Sequence, residues 1–153
     1  MVRIEQVVDE IVNVLRNNIT DPISLRRERG LNWIFPGFPR YDAGTPRIGI
    51  TYISSPLEAL AIGTPHRRHN ARFQITILVR ETDKIDIDGD GEKESPEFVA
   101  DYIANEVIKA ITNNQSSFTT CWRITIENQA VMRRDGYYYM ILEAEAILER
   151  GES

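Results

Sequence analysis

ARFQITILVRETDKIDIDGDGEKESPEFVADYIANEVIKAITN, residues 71–113, holds a strand, a charged loop and a helix in one run. Phe73, Ile75, Ile77 and Val79 alternate with Gln74, Thr76, Leu78 and Arg80, the two-residue period of a half-buried strand. An acidic, glycine-punctuated loop follows. Ser95-Pro96-Glu97 then reads as a helix start, with serine as N-cap and proline where its missing N–H costs nothing. Val99, Ile103, Val107 and Ile111 recur every fourth residue, with Ala100, Ala104 and Ala110 between them, and form one apolar helix face. The rest of the chain has to pack around this unit.

Upstream, residues 2–18 carry Ile4, Val7, Val8, Ile11, Val14 and Leu15 at helical spacing, with Glu5, Asp9, Glu10 and Arg16 opposite. Residues 19–45 show no sustained period. They hold Pro22, Pro36, Pro39, Gly30, Gly37 and Gly44, and between them Trp33, Phe35, Phe38 and Tyr41. Irregular stretches of this length within a domain are uncommon and usually serve a site or a partner. Four aromatics must fold back over their own domain or dock on a neighbour. Two helices already serve one face of the sheet, so Trp33, Phe35, Phe38 and Tyr41 are expected at a subunit interface.

Residues 46–54 alternate as a first strand, and 57–62 suggest a short strand or turn. Downstream, residues 121–128 read as a strand with Trp122, Ile124 and Ile126 on one face. Arg134-Asp135-Gly136-Tyr137 is a hairpin turn. In the following strand Tyr138, Met140, Leu142, Ala144, Ala146 and Leu148 form the expected buried set, while Tyr137, Tyr139, Ile141, Glu143, Glu145 and Ile147 face outward, on a partly apolar face that suits a cover from a helix or another subunit. The expected fold is α+β: a mainly antiparallel sheet of four to five strands, two helices packed on one face, and a long arm on the N-terminal side. One domain, 1–153, comprises a helix (2–18), an extended arm (19–45) and a sheet with helix 95–113 (46–150).

Composition limits the partners. Hydrophobic residues at 42% and charged residues at 27% are those of a soluble domain. No apolar run approaches a membrane span, so no membrane partner is expected. Cys121 is the only cysteine, which excludes an internal disulfide. The net charge of −5 is uneven: residues 81–97 hold eight acids and two lysines, whereas 59–80 hold four arginines and no acid. Such polarity suits head-to-tail contact between copies, or a polyanion on the basic side, with Arg67 and Arg68 facing it.

Residues 86–97, DIDGDGEKESPE, match D-x-[DN]-x-[DN]-G-x5-E over their full length. Alternating carboxylates repel one another, and a cation offsets that repulsion. The segment resembles the calcium loop of an EF-hand over these residues alone. That resemblance implies side-chain ligands from Asp86, Asp88 and Asp90, a carbonyl from Glu92, a direct or water-mediated ligand from Glu94, and a bidentate carboxylate from Glu97. It also implies a structural calcium ion. The segment departs from the EF-hand in three ways: a strand precedes it, Lys93 stands where an apolar residue is usual, and Pro96 immediately precedes the last ligand. A solvated acidic turn leading into a helix is the alternative.

Catalytic signatures do not occur. The chain has no G-x-S-x-G, no phosphate-binding glycine loop, no H-E-x-x-H and no Cys/His set, so no enzymatic activity is expected.

Taken together, IEQVVDEIVNVLRN, the arginine- and aromatic-rich arm leading to PRIGITYI, ARFQITILVR followed by FVADYIANEVIKAI, and the closing RRDGYYYMILEAEAIL resemble the tail-terminator (tail-completion) and head–tail joining proteins of tailed bacterial and archaeal viruses. The resemblance implies a homo-oligomeric ring, usually of six subunits, in the virion at the neck, assembled in the host cytoplasm. Its partners would be the tail tube and neck or connector proteins, with non-specific passage of DNA; in such a ring the acid-free run 59–80 points to Arg67 and Arg68 as lining the lumen. It carries over no catalytic residue. A different class also fits: a small calcium-stabilised protein-binding module with no viral role.

Overall fold

The computed structural model of the chain describes residues 3–39, 44–54, 57–59, 67–82 and 84–150, without the side chains of 57–59, 67–69, 149 and 150. Helix α1 spans Ile4–Asn18 and buries Val7, Val8, Ile11, Val12, Val14 and Leu15. Its first turn is closed by the Gln6 side chain, which accepts the Arg3 N–H at 2.7 Å. At the other end the Asn18 amide donates to the Val14 carbonyl at 2.7 Å, one of the acceptors a helix end leaves unpaired.

The expected arm is not simply extended. It contains a short helix, α2 (Ser24–Glu28), and a strand, β1 (Ile34–Pro36). Arg26 grips Asp21 through two hydrogen bonds of 2.7 Å and also donates to the Pro46 carbonyl at 2.8 Å. Both side chains of this pair are largely buried, so the root of the arm is pinned to the start of the sheet.

Five further strands follow: β2 (Arg47–Ser54), β3 (Leu57–Ala59), β4 (Arg67–Arg80), β5 (Arg123–Arg134) and β6 (Tyr137–Arg150). Helix α3 (Pro96–Asn113) lies between β4 and β5. The sheet runs β1-β2-β4-β6-β5, with β3 also paired to β4. Every pairing is antiparallel except β1 with β2. The fold is therefore the expected mainly antiparallel α+β domain, with six strands instead of four or five. The arm supplies β1.

Val7, Ile11 and Leu15 of α1 share one core with Val99, Ile103 and Val107 of α3 and with Ile48, Phe73, Ile75, Ile77, Tyr138, Met140 and Leu142 of the sheet. The alternate residues Thr76, Leu78 and Tyr139 are outside that core, so both helices lie on one face. Two polar clamps fix the entry to β5. The Glu10 carboxylate accepts the N–H and hydroxyl of both Thr119 and Thr120 at 2.7–2.9 Å. Gln115 bonds both backbone groups of Ile124. Among the described residues no helix is long and apolar enough to cross a membrane.

On the outer face of the sheet, away from the helices, Tyr139 is fully buried along with Thr76 and Leu78. Its cover is the arm. Phe38 packs over Tyr139 with ring centroids 6.2 Å apart, and Gly37 donates to the Ile50 carbonyl at 2.7 Å. The arm lies so close to β2 that a Cβ on Gly49 would stand 2.3 Å from the Gly37 oxygen and 2.6 Å from Pro39 Cδ. Trp122 corrects the bounds of the expected strand. It precedes β5 and is 70% exposed, and a bulge between Ile126 and Asn128 ends the simple alternation after Ile126.

Gly49→Ala should therefore destabilise the domain by about 1–3 kcal/mol, the usual cost of overpacking, although alanine normally suits a strand better than glycine. Urea denaturation measures the loss. An unchanged midpoint would mean that the arm does not press on β2.

Candidate cation loop and the surfaces around it

The acidic loop is shaped by its own carboxylates. Asp86 accepts the N–H groups of Gly89 and Gly91, both at 3.0 Å, Asp88 accepts that of Asp90 at 3.2 Å, and Asp90 that of Glu92 at 2.8 Å. Glu94 reaches back to the Ile87 N–H at 3.1 Å, and its own N–H bonds the Ile85 carbonyl at 2.9 Å, forming an antiparallel bridge across the loop. Gly91 has φ +90°, so a side chain at this turn would be strained.

Of the six expected ligands, four come together. Asp86, Asp88, Asp90 and Glu94 each offer an oxygen, and all four atoms lie within 4.8 Å of one another. Oxygens at about 2.3–2.6 Å from one Ca²⁺ are at most about 5 Å apart, so the group fits a hard divalent cation. Glu92 donates its N–H within the loop and lies outside this group of side chains. Glu97 is also outside it. Its carboxylate is bound by Arg133 of β5.

The two outer glutamates titrate in opposite directions. Desolvation, followed by the charges of Asp88 and Asp90, pushes Glu94 above the ordinary carboxylate range, with the Ile87 N–H partly offsetting them. Glu97 is held below that range by its own backbone N–H, the Ser95 hydroxyl and Arg133, against a smaller desolvation effect. The loop without an ion therefore carries a crowded carboxylate at Glu94 and a satisfied one at Glu97. A cleft of about 390 Å³ between the root of the arm and α3 gives access to Asp86 and Asp88, with Arg27 and Tyr102 on its walls.

The other expected sites are scattered. Trp33, assigned above to a subunit interface, is 5% exposed and belongs to the domain's own core. Phe35 is half-buried, with the Arg16 and Arg47 guanidinium groups 5.5 and 4.2 Å from its ring centre. Phe38 remains 51% exposed despite its contact with Tyr139. Tyr41 lies outside the described residues. Arg67 and Arg68 begin β4 and pair through the backbone with Arg150 and Glu149 at the end of β6. The acidic loop follows the other end of β4.

Sequence reasoning missed the pairing of Arg133 with Glu97, for which there is no local signal, because the partners are 36 residues apart. It also missed the exposed edge of β5. Burial, with the charge of Glu10 adding to it, pushes the Cys121 thiol up to about 11, which disfavours its thiolate. No protein-family model matches the chain, and no curated protein matches its sequence.

A carboxyl whose folded pKa is raised stabilises the fold below its unfolded value, and that contribution is lost as pH rises through the folded value. In chelator, Glu94→Gln, which keeps an acceptor for Ile87, should therefore lose less thermal stability than the parent between about pH 4 and pH 7. Parallel melting curves across that range check this, and identical slopes would show that Glu94 is not crowded.

Proposed function

We propose that the protein is a structural virion component, a tail terminator or neck subunit that forms a ring, expected to contain six copies, where the tail tube of a tailed bacterial or archaeal virus meets the head. The observation that carries this beyond resemblance is the charge placement on β4. This strand is 14 residues long, roughly 45 Å at the usual rise, with Arg67 and Arg68 at its start and the acidic loop after its end. Unlike charges at opposite ends of a subunit favour head-to-tail contacts, which close into rings when the rotation permits. In such a ring Arg67 and Arg68 would line the lumen; finding them paired with the acidic segment of the next subunit would overturn that placement. DNA phosphates passing the arginines would be bound without regard to sequence. Phe38, the exposed aromatic of the arm, adds apolar contact.

Light scattering on the eluting peak and negative-stain images test this. A ring with a central hole that weakens as salt rises is expected. A monomer at every salt concentration overturns it.

A second class, the small calcium-stabilised binding module, is favoured by the four converging carboxylates. In either class the loop would hold a structural Ca²⁺ through Asp86, Asp88, Asp90 and Glu94. Calcium at about a hundred times its dissociation constant should then stabilise the fold by about 2.7 kcal/mol, and Asp88→Ala should abolish the gain. Thermal melts with calcium and with chelator measure this, and no shift at millimolar calcium leaves a solvated turn. Calcium response in a persistent monomer selects the binding module.

A further inference from the structure

The two edges of the sheet are finished differently. At β1 the Ile34 carbonyl is taken by Arg16 at 2.9 Å and Pro36 has no N–H to give, so that edge is blunted. At β5, 12 residues long, no strand among the described residues pairs on the far side from β6. Residues 127–134 are all exposed, and Val131 and Met132 keep 53% and 41% of their surface. A long edge with unpaired backbone groups and apolar side chains on both faces is a template for another strand.

We infer that the occupant is β5 of a second copy, antiparallel, across a two-fold axis at Val131. The argument is the complementarity of the edge with itself. In a two-fold antiparallel pair, directly opposed residues share a face, so each faces its own copy or a residue an even number of positions away. With Val131 on the axis, the two Val131 side chains meet on the helix-bearing face, where Val131 already pairs with Met140. On the other face, beside Tyr139, Met132 lies opposite Ala130 of the copy. Arg133 and Arg134 then face the amides Gln129 and Asn128, so no like charges are opposed. Centring on Ala130 would place Val131 and Met132 against those amides, and centring on Met132 would place Val131 and Ala130 against arginines. Of these three registers only the one centred on Val131 matches apolar to apolar.

This contact goes beyond the ring. It is isologous, whereas a ring closes through heterologous contacts, so it joins subunits of two rings or pairs subunits that have not closed one.

Cysteine scanning under mild oxidation of the full chain, in a Cys121→Ser background, tests the register. Val131→Cys should give a disulfide-linked dimer on a non-reducing gel, and Gln129→Cys or Arg133→Cys should not. Mixing Ala130→Cys with Met132→Cys proteins should give a dimer that neither gives alone. Absence of the Val131→Cys dimer, or equal cross-linking at 129, 131 and 133, overturns the inference. The readout is independent of the ring: single particles with a central hole that lack the Val131 cross-link retain the ring and remove the two-fold pair.

Discussion

The antiparallel register between β4 and β6 is the constraint on which the other contacts depend. All fourteen residues of β4 are matched in sequence, from Arg67 opposite Arg150 to Arg80 opposite Tyr137, without a bulge. A slip of one residue would turn Phe73, Ile75 and Ile77 away from α1 and α3 and bring Gln74 and Thr76 beneath them. Every other element takes its position from this ladder: β2 pairs with one side of β4, β5 with the far side of β6, and the helices lie on the apolar half. The charged ends of β4 are kept apart by the same pairing, since the strand cannot fold back on itself.

Where local period and burial agree, the chain is legible. Helix α3 begins at Pro96 and ends at Asn113, within a residue of the span expected from Ser95-Pro96 and the fourfold apolar spacing. The hairpin turn at Asp135 and Gly136 lies where the Asp-Gly pair puts it, both residues having positive φ. The arm was not legible, because what decides its path is contact between distant segments. Nothing in Gly37, Phe38 and Pro39 alone says that they will cross β2 at Gly49, the position where a Cβ would collide with them. That crossing buries Tyr139 on the face that alternation turns away from the helices. Trp33 was misassigned for a related reason: the arm returns to the core before it leaves it.

The acidic loop divides similarly. Its alternating carboxylates and paired glycines were readable as a cation-binding pattern, and Asp86, Asp88, Asp90 and Glu94 do converge. The fate of Glu97 was not readable. It sits in the first turn of α3, where a negative charge is favourable by itself, and β5 brings Arg133 alongside. Twelve residues of matching spacing therefore yield four converging oxygens and one carboxylate committed to a different strand.

That commitment makes Glu97 a point of exchange between the two ends of the molecule's chemistry. A cation that drew both Glu97 oxygens into the loop would compete with Arg133 for their charge and would loosen that pair. Arg133 stands on the edge strand, over the Tyr138 ring. Releasing it changes the charge presented along β5. Were an ion to recruit Glu97 in this way, linkage would run both ways: whatever engaged Arg133 from outside would alter the loop's affinity for that ion by the same factor.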